Sequence, residues 1–447
     1  MIVVLGAGES GVGSALLATK HNIKVFVSDS GTIKDKYRKI LEQNNIEFEQ
    51  GQHSEDIILQ ASEIIKSPGI PDTAPIIQKA KQKNIPVISE IEFAARYTDG
   101  TFIAITGSNG KTTTTTLIWE ILKNAGYDAA LTGNVGTSLA GTIAQRDYQY
   151  YVLEISSFQL DNCYRFNPHI AILLNITPDH LDRYGNNFDN YVKSKFRIVQ
   201  NHTPEDIFIY WAEDNVITSY LRQNPVSSEK IAFAWHKNPS VRAYVENGKI
   251  FVKVKARELS MDIDRMAIRG KHNVYNAMAA AAAAMILDVP PSTIIKTLEE
   301  FKGVEHRLEK VDVINGITFI NDSKATNVTS VWYALESVSS PVILILGGID
   351  KGNDYSALFP LVKEKVKSII ALGKDNSKII NNFQKLVPVY NTASMQQAVD
   401  KAYQLAEQGD TVLLSPACAS FDLFDNYIHR GKEFKQAVSN LKKTSSK

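Results

Sequence analysis

The segment from Thr101 to Thr116, TFIAITGSNGKTTTTT, constrains the fold of this 447-residue chain more than any other. Its apolar residues 102–105 predict a buried strand, residues 106–110 a tight loop, and residues 111–122 a helix. A strand, a glycine loop and a helix in this order direct several backbone N–H groups towards one point, which favours anions. The segment therefore predicts an α/β domain with a phosphate site.

Two side chains of this loop suit a nucleotide. Lys111 would reach the β- and γ-phosphates, and the hydroxyl of Thr112 would bind Mg²⁺. The general P-loop pattern has a glycine five residues before Gly110, where this chain has Ile105. An ordinary turn with a chance Gly-Lys-Thr is the alternative, but the strand and helix on either side favour nucleotide binding.

Composition excludes several classes of protein. Apolar residues make up 44% of the chain and charged residues 22%, which is typical of a soluble globular protein. The net charge of +1 gives no electrostatic argument for a nucleic-acid or membrane partner. Two cysteines, Cys163 and Cys418, cannot form a disulfide framework and fit a reducing compartment. The apolar stretch Ala277 to Leu287 is too short to span a membrane. We expect a cytoplasmic protein that inserts into no membrane and binds no nucleic acid.

The first part of the chain alternates strand and helix patterns, which predicts a doubly wound parallel sheet. The fingerprint GAGESG, from Gly6 to Gly11, follows the first strand, and Asp29 ends the second. Asp29 lies close to the offset at which a dinucleotide fold holds a ribose. Taken alone, this part would indicate an NAD-dependent oxidoreductase.

The pattern changes twice along the chain. Asp99-Gly100 is a plausible linker before the P-loop, and Lys302-Gly303 precedes a second α/β unit that starts with a hairpin at Asn315-Gly316. We predict three domains, at residues 1–97, 98–302 and 303–447. The fold class is α/β, with a Rossmann-like domain at each end and a P-loop ATPase domain with a parallel sheet between them. The polar tail Lys442 to Lys447 is expected to be frayed.

Three residues of the central part have more than one interpretation. Glu154 ends a buried strand beside the P-loop, where a carboxylate suits Mg²⁺ or a water, although an acid capping a turn is the alternative. His180, in NITPDHLD, could bind a second Mg²⁺ or substrate, or be an ordinary loop histidine. From the residues alone, Lys195 is an exposed helix lysine.

Candidate site residues in the rest of the chain also have more than one interpretation. Asn276 could contact an adenine or cap its helix, and Arg307 could clamp a phosphate at the domain junction. The loop NDSKATN, residues 321–327, could bind a second anion or be a capped βα loop. Cys418 has no partner histidine at an informative spacing, so a small buried residue is favoured over a nucleophile.

Together these stretches resemble the Mur ligases, the ATP-dependent amide-forming enzymes of peptidoglycan precursor synthesis. The resemblance covers the whole chain and rests on the order of ten motifs: GAGESG, SPGIP, TGSNGKTT, GNVG, EISSFQL, TPDHLDRY, HNVYNA, HRLE, NDSKATN and SPACASFD. NDSKATN and SPACASFD are similar to the branch that adds D-glutamate. The P-loop of the family carries a glycine at the position of Gly107 rather than at the earlier position, so Ile105 in this chain fits the family.

The resemblance implies an N-terminal UDP-substrate domain, a central ATPase domain and a C-terminal domain for the amino acid and ATP. It implies that ATP and two Mg²⁺ ions are used to add D-glutamate to UDP-N-acetylmuramoyl-L-alanine through an acyl phosphate. The partners would be these small molecules, and the enzyme would be a monomer. The carboxylate would attack the γ-phosphate, and the amine of D-glutamate would then displace phosphate, so no protein nucleophile is needed.

Site residues are carried over from matching motif positions. Catalytic roles would fall to Lys111, His180 and Lys195, where the family lysine matched by Lys195 carries a carbamate. Contacts to ATP would come from Gly107, Ser108, Asn109, Gly110, Lys111, Thr112, Thr113, Asn276, Arg307 and Asp322. Contacts to the UDP-substrate would come from Gly8, Glu9, Ser10, Asp29, Ser30, Ser67, Asn134 and His180.

The remaining implied residues hold metal or the amino acid. Magnesium ligands would be Thr112, Glu154, His180 and Lys195. D-glutamate would be held by Lys324, Thr326, Lys351, Ser420 and Tyr427, the last at a position where the family often has Phe.

Three rival functions are weighed against this interpretation. An NAD-dependent oxidoreductase would leave GSNGKT unexplained. A non-enzymatic ATP-driven switch would hydrolyse ATP without amino-acid dependence. A folylpolyglutamate-type ligase shares the ATPase chemistry but lacks an N-terminal domain like residues 1–95.

Overall fold

The computed structural model describes residues 1–445 and contains three β-sheets with packed helices. The chain divides into two compact units. The first comprises Met1–Met266 and Val274–Glu300, and contains the first two sheets. The second begins at Phe301, also takes in Ala267–Asn273, and contains the third sheet. An α/β fold with three sheets is as predicted, whereas the domain boundaries at residues 97 and 302 stay predictions.

The N-terminal sheet is parallel throughout. Its elements are β1 (Ile2–Leu5), α1 (Glu9–Lys20), β2 (Val25–Asp29), α2 (Asp35–Gln43), β3 (Glu47–Gln50), α3 (Glu55–Ile58), β4 (Glu63–Lys66), α4 (Pro75–Gln82), β5 (Val87–Ile88) and α5 (Glu90–Ala94). The strand order is β3-β2-β1-β4-β5, which confirms the doubly wound prediction. The central strand β1 is buried over its whole length, because helices cover both faces of such a sheet.

The central sheet has nine strands. Its elements are β6 (Thr101–Thr106), α6 (Lys111–Asn124), β7 (Ala129–Gly133), α7 (Leu139–Gln145), β8 (Tyr150–Glu154), α8 (Ser157–Leu160), β9 (Ile170–Leu173), α9 (Phe188–Phe196), β10 (Ile207–Trp211), α10 (Asn215–Gln223), β11 (Glu229–His236), β12 (Val241–Glu246), β13 (Lys249–Val254), β14 (Arg257–Asp262), α11 (Lys271–Ile286) and α12 (Pro291–Glu300). The order is β14-β13-β12-β11-β10-β9-β6-β8-β7, parallel from β7 to β12 with β13 and β14 added antiparallel. Strand β6 lies between β8 and β9, so the loops after all three strands meet at one edge.

The third sheet has six strands. Its elements are β15 (Glu309–Ile314), β16 (Ile317–Asn321), α13 (Val328–Ser337), β17 (Val342–Gly347), α14 (Phe359–Lys365), β18 (Val366–Leu372), α15 (Ser377–Phe383), β19 (Val389–Thr392), α16 (Met395–Leu405), β20 (Thr411–Ala417) and α17 (Tyr427–Ser445). The order is β15-β16-β20-β17-β18-β19, with only the β15–β16 hairpin antiparallel. Helix α17 continues to Ser445, so the fraying expected from Lys442 is wrong up to that residue, and the rest of that tail lies outside the described residues.

Two buried acids join the N-terminal and central sheets within the first unit. The Glu90 carboxylate accepts the backbone N–H of Ala140 at the start of α7 (3.0 Å). The Glu92 carboxylate accepts the backbone N–H groups of residues 164–166 at 2.9–3.1 Å. A buried carboxylate is retained when such donors replace water, so these contacts define the junction.

Among the described residues, no helix is long and apolar enough to cross a lipid bilayer.

Candidate active site

The loop between β6 and α6 has the conformation that a phosphate site requires. Gly107 and Gly110 have φ values of +150° and +85°, which glycine adopts without steric cost. A Cβ on Gly110 would lie 2.5 Å from Oδ1 of Asn276, so the loop and the alanine-rich helix α11 approach closely. The Lys111 ammonium donates to the carbonyls of Gly107 (2.8 Å) and Ser108 (2.9 Å), inside the curve of the loop.

Asn175, two residues after the end of β9, holds this loop through three hydrogen bonds. Its Oδ1 accepts the Asn109 N–H (2.8 Å), its Nδ2 donates to the Asn109 carbonyl (3.0 Å), and its own carbonyl accepts the Ser108 N–H (2.9 Å). Asn175 is not among the site residues predicted from the sequence. Its position after a buried strand next to β6 is the signal that could have found it.

Glu154 lies at the end of β8, next to the P-loop strand. It pairs in register with Ile105 on one side and Gly133 on the other. Its side chain is buried, and Oε1 accepts Nδ2 of Asn134 at 2.7 Å. Thr112 is buried in the first turn of α6. The structure thus brings Glu154 to the edge of the sheet where the loop begins, and links it to a predicted substrate contact, Asn134.

Lys195 is not the exposed helix lysine that the residues alone indicated. It is 2% exposed, because α9 turns this face towards the P-loop. Its Nζ donates to the Gly107 carbonyl at 2.8 Å, the same oxygen that Lys111 contacts, and lies 4.6 Å from the Tyr191 ring centre. Burial, with the nearby Lys111 charge as a second cause, lowers the pKa of Lys195 well below its ordinary value. This arrangement favours a neutral amine.

His180 lies in the loop between β9 and α9, with a left-handed φ of +52°. Its imidazole is half-exposed, packs edge-on against Phe158 (5.2 Å between ring centres) and has Nε2 at 3.6 Å from Oδ2 of Asp179. The loop is anchored beside the P-loop, since the Ser108 hydroxyl donates to the Thr177 carbonyl at 2.8 Å. His180 therefore belongs to the same edge of the sheet as Lys111 and Glu154.

The predicted UDP-substrate residues gather around the first glycine loop. Gly8 caps the N-terminus of α1, and Glu9 and Ser10 form its first turn. The Asp29 carboxylate accepts the N–H groups of Ala7 (2.7 Å) and Gly31 (2.8 Å), so both of its oxygens shape this loop. Ser30 is exposed beside it.

In the second unit, Asp322 follows β16 and is buried. Its Oδ2 accepts the Ser415 hydroxyl (2.8 Å) and its Oδ1 the Leu308 N–H (3.2 Å). Burial raises the pKa of Asp322 to about 7, although these hydrogen bonds and the Arg307 charge oppose the rise. The loop after β16 and the end of strand β20 thus meet at this carboxyl.

Arg430 is a buried residue that the sequence interpretation missed. It lies in α17, is 1% exposed, and donates to the hydroxyl (3.0 Å) and carbonyl (2.7 Å) of Ser323 and to the Cys418 carbonyl (3.1 Å). Burial lowers the pKa of Arg430 to about 10. The guanidinium therefore fixes NDSKATN against SPACASFD, which are the two motifs expected to hold D-glutamate.

Other predicted residues of the second unit differ in exposure. The Lys324 ammonium lies 5.3 Å from the Tyr427 ring centre, which brings two predicted D-glutamate residues together. Ser420 is buried, Thr326 half-buried and Lys351 exposed. The structure places Lys351 in the loop after β17, one residue beyond Asp350, whose carboxylate binds the Tyr355 hydroxyl (2.8 Å) and Lys378 (2.8 Å).

Cys418 is 1% exposed, and burial raises the pKa of its thiol. Its Sγ lies 3.3 Å from the Tyr355 hydroxyl. A thiol in this environment is a packed residue rather than an activated nucleophile, as the sequence favoured.

Two groups of side chains offer atoms that could bind a metal ion, and in one of them the carboxylates already pair with a lysine. Thr112 and Glu154 offer a hydroxyl and a carboxylate, the oxygen ligands that Mg²⁺ prefers beside a phosphate. Glu305, His306 and Glu309 also have ligand atoms within 4.8 Å of one another. The Lys435 ammonium pairs with both carboxylates of that second group, so it already supplies their cation.

Three family models match the chain. They are the Mur ligase MurD-like N-terminal domain over residues 1–89, the Mur ligase middle domain over residues 105–284, and the Mur ligase glutamate ligase domain over residues 306–418. Each match falls on one of the three sheets.

Two similar proteins are named UDP-N-acetylmuramoylalanine--D-glutamate ligase. The one from Christiangramia forsetii is 53% identical over 441 residues, which cover 98% of this chain and 99% of the relative. The one from Porphyromonas gingivalis W83 is 52% identical over 443 residues, which cover 98% of both.

Solved structures share the fold. The crystal structure of the UDP-N-acetylmuramate-alanine ligase MurC from Thermotoga maritima aligns with a TM-score of 0.64 and 20% identity, over 99% of both chains. MurF from Acinetobacter baumannii aligns with a TM-score of 0.62 and 17% identity, over 98% of this chain and 93% of that one. At these identities the likeness concerns the fold alone.

Proposed function

Because this chain belongs to the Mur ligase family, we propose that it uses ATP to join D-glutamate to UDP-N-acetylmuramoyl-L-alanine, a step of peptidoglycan precursor synthesis. Relatives that are half identical over nearly the whole chain carry the name of this activity. Family membership, rather than fold, decides against the nicotinamide interpretation of GAGESG.

The observation that carries the proposal is the P-loop with its two lysines. Lys111 and Lys195 both donate to the Gly107 carbonyl, beside the buried Glu154 and Thr112. Two protonated amines at one carbonyl would repel each other, which disfavours a charge on Lys195 and favours an anion beside the Lys111 ammonium. A bound triphosphate supplies such an anion.

The chemistry follows from these positions. The carboxylate of the L-alanyl residue attacks the γ-phosphorus of ATP, and the bond to ADP breaks. Lys111 stabilises the negative charge on the transferring group. The neutral amine of D-glutamate then attacks the carbonyl carbon of the acyl phosphate, the amide forms, and phosphate leaves with one proton released. No side chain of the enzyme forms a bond to the substrate, which agrees with the buried state of Cys418.

We propose two Mg²⁺ ions, with Thr112, Glu154, His180 and Lys195 as their protein ligands. When bound, Mg²⁺ would neutralise phosphate charge. The oxygen donors of Thr112 and Glu154 fit this role, and His180 lies on the neighbouring loop. Lys195 fits it only after its charge is reversed.

Carbamylation is the change of charge that we propose for Lys195. A neutral amine attacks CO₂, forms an N–C bond and releases a proton, which leaves a carbamate anion. The lowered pKa of Lys195 supports this step, because burial favours the neutral amine and the neutral amine is the nucleophilic form. The carbamate anion would lie beside the Lys111 ammonium, and the two opposite charges would attract each other.

The other proposed contacts follow the motifs. ATP contacts are assigned to the P-loop residues 107–113 and to Asn276, Arg307 and Asp322. UDP-substrate contacts are assigned to Gly8, Glu9, Ser10, Asp29, Ser30, Ser67, Asn134 and His180. D-glutamate contacts are assigned to Lys324, Thr326, Lys351, Ser420 and Tyr427. The enzyme is proposed to act as a monomer in the cytoplasm.

One assay tests the function. Phosphate release from ATP is measured with UDP-N-acetylmuramoyl-L-alanine, with D-glutamate present or withheld. Sustained release that needs both substrates, with equimolar amide formation, is expected. Release without amino-acid dependence would indicate an ATP-driven switch. Release with a folate substrate would indicate a folylpolyglutamate-type ligase, and nicotinamide reduction without ATP use would indicate an oxidoreductase.

A further inference from the structure

Arg183 connects two loops of the first unit that the proposed function uses separately. It belongs to a short 3₁₀ helix, Leu181–Tyr184, that begins directly after His180. Its guanidinium donates to the carbonyls of Pro68 (3.2 Å) and Gly69 (3.3 Å) in the SPGIP motif. One side chain therefore bridges the central domain and a loop of the UDP-substrate domain.

The same guanidinium lies on an aromatic ring that also supports His180. Its Cζ is 4.5 Å from the centre of the Phe158 ring, and the same ring also contacts the His180 imidazole (5.2 Å between ring centres) and the Tyr184 ring (6.0 Å). Tyr184 is fixed in turn, because its hydroxyl donates to Asp161 at 3.0 Å. Arg183 and His180 thus both pack against the Phe158 ring.

The far side of the SPGIP loop rests on the first glycine loop. The Ser67 N–H donates to the Leu5 carbonyl (2.9 Å), and the Ser67 hydroxyl donates to the Gly6 carbonyl (3.4 Å). The contacts therefore continue from GAGESG through SPGIP to Arg183, and from there through Phe158 to His180.

We propose that Arg183 is a positioning residue that couples binding of the UDP-substrate in the N-terminal domain to the placement of His180 in the central domain. This inference rests on the proposed function of His180 and the glycine loop. A planar guanidinium directs two fixed N–H groups towards adjacent carbonyls while its flat face lies on a ring, a geometry that a lysine ammonium, with its compact and strongly hydrated charge, does not reproduce. Ordering of the SPGIP loop by substrate would then order the loop that carries His180.

The test compares Arg183→Ala and Arg183→Lys with the parent enzyme. We expect Arg183→Ala to raise KM for UDP-N-acetylmuramoyl-L-alanine and to lower kcat, each by about 10-fold, because misplaced groups near the reaction cost this much or more. KM for ATP should change less than about 2-fold, and Arg183→Lys should recover little of the loss. Full recovery with lysine would mean that charge alone matters and would overturn the proposal.

Arg146→Ala is the matched control. Arg146 also stacks on an aromatic ring (3.8 Å to the Tyr148 centre) and binds a carboxylate, Asp128, but at the far end of α7. It should leave both constants near those of the parent. Equal changes of KM and kcat in both variants would mean that loss of Arg183 acts through general stability, and would overturn the proposal.

Hydrogen exchange distinguishes coupling from a purely structural role, because only coupling makes the protection of residues 177–187 by substrate depend on Arg183. In the parent enzyme, UDP-N-acetylmuramoyl-L-alanine alone should slow exchange in residues 177–187. In Arg183→Ala this protection should be lost, while protection of residues 6–12 remains. Persisting protection of 177–187 in the variant would refute the coupling. Failure of the role proposed for His180 would look different, because His180→Ala would then retain activity. Failure of the proposed ligase function would leave the parent enzyme without D-glutamate-dependent phosphate release.

Discussion

At the scale of single residues, the decisive feature is the state of Lys195. Lys195 is 2% exposed and lies beside the Lys111 ammonium, and burial, with that charge as a second cause, lowers its pKa well below the ordinary value. We expect Lys195→Ala to lower ligation at least about 100-fold, because the carbamate would no longer supply a negative ligand. Formate or acetate added to the variant should restore part of the activity. The measurement is amide formation with and without these carboxylates.

Lys193→Ala is the control for this variant, since Lys193 lies two residues earlier on α9 and is exposed. It should retain near-parental activity. Unchanged ligation in Lys195→Ala would exclude the carbamate, whatever the control does.

At the scale of one element, the loop between β6 and α6 depends on glycine geometry. In Gly110→Ala the new Cβ would lie 2.5 Å from Asn276 and require a φ of +85°. We expect KM for ATP to rise about 10-fold or more, since displacing one phosphate-binding element costs at least that. Gly126→Ala is the control, because Gly126 has nearly the same φ of +83° but nothing lies within 4 Å of the new Cβ. It therefore shows the effect of backbone strain without a steric clash. It should lose only about 1 kcal/mol of stability and keep its KM. A normal KM for ATP in Gly110→Ala would contradict the phosphate role of the loop.

At the scale of the whole molecule, a buried acid at the junction of the first two sheets makes stability depend on pH. Burial raises the pKa of the Glu90 carboxyl from 4.5 to about 7. Between these values the folded state holds a proton that the unfolded state has lost. The free energy of unfolding therefore decreases as the pH rises towards 7, and the contribution of protonated Glu90 is lost above that.

Glu90→Gln should remove this dependence, because the amide oxygen can still accept the Ala140 N–H without a charge. Relative to the parent, the variant should gain about 1–3 kcal/mol of unfolding free energy between pH 5 and pH 8. Denaturant titrations at several pH values measure the difference. Glu47 is exposed, so Glu47→Gln should change the free energy of unfolding by the same amount at every pH. A change in Glu90→Gln that is equally independent of pH would contradict the raised pKa of Glu90.

The sequence by itself determined the α/β class, the strand–loop–helix units around the glycine loops and the family, because hydrophobic periodicity and glycine loops are local properties of the chain. It could not give the polar edge strand β3 (EFEQ), which is only recognised by its pairing with β2. Nor could it place Lys195, Asn175, Arg430 or Arg183. Burial of Lys195 and the contacts of the other three depend on segments far apart in sequence, and only tertiary packing brings those segments together.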